Sequence, residues 1–110
     1  MMSYEEFTQK EAALESAPQA EREAFYAEIL EKETAKTDVR MMAYFHAALL
    51  HYREGDFRAA REILEHSGLS FDLRGDMMAV SPRDKAVKLV KAHPAEVQEI
   101  KAALLAEKAE

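Results

Sequence analysis

Residues 69–82, LSFDLRGDMMAVSP, form the one stretch of this chain that reads as β structure. With Gly75 and Asp76 as a two-residue turn, the register pairs Leu73 with Met78, Phe71 with Val80 and Leu69 with Pro82. All three pairs are apolar and share one face, whereas Arg74 with Met77, Asp72 with Ala79 and Ser70 with Ser81 share the other. A lone two-stranded ribbon is marginal in water, so its apolar face must rest on helices, and its strand edges are then open to a partner. Arg74-Gly75-Asp76 spells an integrin-binding tripeptide, but a glycine first in a tight turn is ordinary hairpin chemistry.

Outward from the hairpin, everything reads as helix. On its C-terminal side, Ser81, Pro82 and Asp84 open a fifth helix whose predicted buried stripe is Ala86, Val87, Leu89 and Val90. Pro94 forces a break after His93 and begins a sixth helix in which Val97, Ile100, Leu104 and Leu105 align. On the N-terminal side, Asp56 caps a fourth helix that reaches about His66 and is ended by Gly68. A third helix, capped by Thr37 or Asp38 and running to Glu54, is apolar over so much of its circumference that it is expected to be central. Ser16 with Gln19 has capping-box spacing for a second helix reaching about residue 36, and Ser3 with Glu6 for a first over about residues 3–15. The predicted fold is mostly α (α+β), about six helices with one β-hairpin between the fourth and fifth. It is one domain over residues 1–110, with a helical N-terminal part (1–55) and a helix, hairpin and two-helix part (56–110).

Composition narrows the function classes. At 48% hydrophobic and 33% charged residues the chain is too apolar for disorder and too evenly charged for a membrane span. An acidic start, MMSYEEFTQKE, lacks the pattern of a secretory leader, and the absence of cysteine fits a reducing compartment, so the expected location is cytoplasmic. The net charge of −6 is concentrated toward the front of the chain, which repels phosphates and argues against nonspecific nucleic-acid binding.

Tyr44, Ala47, Ala48, Gly55, Phe57, Ala60 and Leu64 sit at spacings that resemble a tetratricopeptide repeat over residues 41–74. A single copy implies two closely packed antiparallel helices rather than an array.

The segment from Ile63 to Leu105 carries a second likeness. A helix ending in His66-Ser67-Gly68-Leu69, the alternation Phe71, Leu73, Gly75-Asp76, Met78, Val80, then Pro82 and the helical close Leu89, His93, Glu96, Ile100, Leu104 resemble the TubC-like N-terminal docking domain of nonribosomal peptide synthetases. That resemblance implies a helix, a β-hairpin and two short helices that hold a partner's terminal peptide against the hairpin.

Catalytic chemistry finds no foothold. His46, His51, His66 and His93 include no i, i+4 pair for a helical metal site, and Gly55, Gly68 and Gly75 are too scattered for a phosphate loop. Ser3, Ser16 and Ser81 have capping roles. No catalytic residue, metal site or cofactor is predicted. The expected function is a noncatalytic docking module that grips a peptide or partner subunit, with a second copy of the chain as a further candidate. The predicted contact residues are Asp72, Arg74, Met77 and Ala79 on the outer face of the hairpin, and Lys85 and Lys88 on the fifth helix. Two alternatives are a nucleic-acid accessory protein using the basic strip Arg83, Lys85, Lys88 and Lys91, and a small ligand-binding protein, which needs a pocket with converging polar groups. A membrane partner is not expected.

Overall fold

The computed structural model describes residues 2–33 and 37–109. Six helices and one hairpin follow in order: α1 (Tyr4–Ala13), α2 (Gln19–Lys32), α3 (Asp38–Arg53), α4 (Phe57–His66), β1 (Ser70–Arg74), β2 (Met77–Ser81), α5 (Arg83–Ala92) and α6 (Pro94–Ala109). The sequence expectation of a mostly helical chain with a hairpin between the fourth and fifth helices therefore holds.

The boundaries follow from side chains that satisfy orphan backbone groups. Ser3 accepts from the Glu6 amide, Thr37 from the Arg40 amide and Asp56 from the Ala59 amide, each an N-cap. Between α3 and α4, Gly55 takes φ +79°, a left-handed conformation that glycine adopts without steric cost. Ser16 does not cap α2. Pro18 stands at that position instead and brings no side-chain hydrogen bond. Nor does α2 extend as far as expected, since Lys32 is its last helical residue, Glu33 has turned extended, and 34–36 lie outside the described residues.

α3 is the organising element, with ten buried residues along its length. One side of it, through Val39, Met42, Ala43, Ala47 and Leu50, packs with Phe7 of α1 and Tyr26 and Ile29 of α2. Its other side, through Phe45, Ala48, Leu49 and Tyr52, packs with Ala60 and Leu64 of α4, Leu89 of α5 and Val97, Ile100 and Leu104 of α6. The inner face of the hairpin, Phe71, Leu73, Met78 and Val80, leans on this second cluster. Phe45 anchors it there: its ring meets Phe71 edge-on at 6.2 Å and His93 edge-on at 5.8 Å.

Two expected stripes are corrected. On α5 only Leu89 is buried and Ala86 half-buried, while Val87 and Val90 stand 53% and 49% exposed. The stripe that faces the core is instead Ala86, Leu89 and buried His93, spaced i, i+3, i+7. Leu105 of α6 likewise falls at the margin, exposed beside buried Leu104.

Candidate functional site

The hairpin register is Ser70–Ser81, Phe71–Val80, Asp72–Ala79, Leu73–Met78 and Arg74–Met77. Gly75 has φ +68° and Asp76 does not have positive φ, the sign pattern of a type II′ turn, whose twist suits a hairpin. A two-residue turn closes on a hydrogen-bonded pair, here Arg74 with Met77, and such pairs alternate along the ladder. The outward-facing N–H and C=O groups therefore belong to Phe71 and Leu73 on β1 and to Met78 and Val80 on β2. Among the described residues, no backbone group outside the ladder bonds to residues 70–81.

Along the β1 edge runs a groove. Its first section, about 560 Å³, is lined by Arg61 and Leu64 of α4, Leu104 of α6, Phe71 and Asp72 of β1 and Tyr52 of α3, and also by Ser81 and Pro82 at the end of β2. A second section of about 450 Å³ continues past Leu73 to Glu107 and Lys108. Arg61 donates to Glu107 across the groove, and Lys108 donates to the Gly75 carbonyl at 3.3 Å, tying the tip of the hairpin to the end of α6.

The lining of the groove holds an unmet polar group. Tyr52 is 7% exposed, and its hydroxyl has no hydrogen-bond partner among the described residues. Burial and, after it, the nearby Glu107 carboxylate push its pKa above the usual tyrosine value, so the group stays a protonated donor. A buried hydroxyl without a partner is costly.

The six predicted contact residues fall into two groups. Asp72 faces Ala79, and Arg74 faces Met77, so these four form one patch on the outer face of the hairpin. Met77 is its most prominent member, an apolar side chain 70% exposed. Lys85 and Lys88 border a different cleft, between α3 and α5, whose lining includes none of the four hairpin residues.

A polar cluster that no local spacing revealed joins α1, α2, α3 and α6. The Tyr26 hydroxyl donates to Glu11 Oε2 at 2.6 Å, His46 Nδ1 lies 2.5 Å from the same oxygen, and His46 Nε2 lies 3.4 Å from Glu96 Oε1. Burial disfavours the imidazolium, but the hydrogen bonds and charges of Glu11 and then Glu96 outweigh it and raise the His46 pKa. Burial pushes the Glu11 carboxyl up, and His46 and Tyr26 together override it to hold its pKa low. The Tyr26 pKa rises because of burial and, next, its bond to Glu11. Both ring nitrogens of His46 are engaged, so the cluster ties α3 to α1 on one side and to α6 on the other.

Among the described residues, no group of three or more His, Asp or Glu side chains could hold a metal ion, and no helix is long and apolar enough to cross a membrane. Comparison with protein-family models, with curated proteins and with solved structures finds no match to this chain.

Proposed function

We propose that this protein is a noncatalytic docking module that receives an extended segment of a partner protein as an added strand on the outer edge of β1. The observation that carries this reading is the coincidence of a strand edge with no backbone partner outside the ladder and a cavity beside it lined by α4, α6 and Tyr52, whose buried hydroxyl has no partner among the described residues. Strand addition supplies affinity through main-chain bonds to Phe71 and Leu73, and specificity through the pockets that take alternate side chains. The outer-face patch of Asp72, Arg74, Met77 and Ala79 adjoins that edge and would contact flanking parts of the partner. Resemblance of residues 63–105 to TubC-like docking domains implies the same mode of use.

The test is selection of binding peptides from a random display library on the intact chain, followed by amide mapping in NMR. Shifts centred on Phe71, Leu73 and Tyr52 support strand addition. Shifts confined to α1 and α2 would overturn it.

Pairing of two β1 edges in a symmetric dimer is a second reading favoured by the same free edge. Sedimentation of the chain alone, with and without Leu73→Pro to remove an outward N–H, separates self-pairing from capture of a foreign strand.

A further inference from the structure

The cleft between α3 and α5 has a chemistry unlike that of the hairpin groove. It encloses about 360 Å³, a size suited to a small ligand. Its apolar walls include Met41, Leu69 and Leu89, and three side chains with fixed charge, Arg40, Lys85 and Lys88, carry positive charge to it. Asp38 is the single acid in the lining, and it is largely exposed. None of the three cations has an ion-pair partner among the described residues, although the chain as a whole is acidic.

Two side chains on the cleft sharpen the picture. Arg40 is held against Tyr44, its Nη2 donating to the Tyr44 hydroxyl at 3.1 Å and its guanidinium 5.3 Å from the ring centre, yet its Nε is buried without a partner. His93, 8% exposed, also lines the cleft, and its Nε2 reaches Asp38 only at 3.9 Å, beyond hydrogen-bond range. A partly buried guanidinium with no ion-pair partner among the described residues favours an anion beside it. The walls are α3 and α5 with the Ser67–Leu69 connector, and no strand of the hairpin lines the cleft, so it offers no strand edge to an extended peptide.

We propose that the α3–α5 cleft binds a small amphipathic acid, a carboxylate or phosphate head on an apolar chain. The head sits among Arg40, Lys85 and Lys88, and the chain lies over Met41, Leu69 and Leu89. Lys85 and Lys88 then belong to a ligand site that is separate from the docking edge of β1.

The experiment titrates the intact protein with millimolar octanoate, octyl phosphate, octylamine and inorganic phosphate, following the methyl signals of Met41, Leu69 and Leu89 by NMR. Octanoate or octyl phosphate should shift these methyls saturably, the preferred one of the two identifying the head group, while octylamine should not. The exposed pair Lys85→Glu with Lys88→Glu should weaken binding by about tenfold or more, and Lys88→Gln alone should do so by a smaller factor with the circular dichroism unchanged. Equal binding of octylamine, shifts with inorganic phosphate that match those of the octyl acids, or indifference to both lysine variants would overturn the proposal. These outcomes are independent of whether any peptide binds β1.

Discussion

His46 Nδ1 and Glu11 Oε2 stand 2.5 Å apart although the residues are 35 positions apart in the chain, and the contact fastens α1 onto α3. Because Glu96 approaches the opposite ring nitrogen, one imidazole ring bridges helices from both ends of the sequence. Its stabilising effect has a pH window with two limits.

The raised His46 pKa contributes stability that is full below its unfolded value of 6.5 and is lost as pH rises through the folded pKa. The lowered Glu11 pKa contributes stability that is full above 4.5 and is lost as pH falls through its folded pKa. The clamp is therefore strongest between those limits. Urea midpoints measured at pH 5.5 and 8.5 should differ, with the alkaline sample less stable by about 1–2 kcal/mol, and His46→Gln should flatten that alkaline decline. An unchanged slope in the variant would contradict the assignment.

Phe45 joins the hairpin to the helices, being fully buried against Phe71 and His93. Phe45→Ala is expected to cost about 3–5 kcal/mol in chemical denaturation. The hairpin signals in NMR should lose dispersion before those of α1 and α2.

Tyr52→Phe removes a buried hydroxyl that has no partner, so the free protein should gain about 1 kcal/mol, seen as a higher denaturation midpoint. The same change should weaken any peptide selected against the β1 edge. Stability and binding would then move in opposite directions, the mark of a group kept for recognition.

Gly75→Ala meets no steric obstacle, since nothing lies within 4 Å of an added Cβ, yet φ is +68°. The whole penalty is conformational, about 1–2 kcal/mol. Thr37→Ala removes the α3 cap and should cost about 1 kcal/mol by the same measurement. Additivity of the two in the double variant checks that hairpin and cap are independent.

The parts of the fold legible in the sequence are those set by local rules. The hairpin register follows from a two-residue turn and alternating side chains, and each strand pair within residues 70–81 is as the alternation requires. Caps at Ser3, Thr37 and Asp56 place helix starts because a short polar side chain acts within its own turn. Periodicity alone could not choose between the Val87–Val90 row and the Ala86–Leu89–His93 row of α5. Val87 and Val90 are as apolar as Ala86 and Leu89 and all four lie at helical spacing, so only the direction in which the helix is laid against β2 and α6 decides. His46, Glu11 and Glu96 gave no signal for a similar reason, since their meeting depends on how distant helices cross. Lys85 and Lys88 were visible as a basic strip, but the cleft behind them is made by α3, and Arg40 had no local mark to join it to them.

Because α3 presents one side to α1 and α2 and the other to α4, the hairpin, α5 and α6, its apolar residues divide into two clusters that share Ile63 of α4 at their border. In native-state hydrogen exchange, α1 and α2 should behave as a cooperative unit that opens while the second cluster stays closed. The contact of Glu11 with His46 adds to the apolar burial that opposes that opening. A molecule that has released its first two helices would thus retain the β1 groove and the α3–α5 cleft, and alkaline conditions would populate it further.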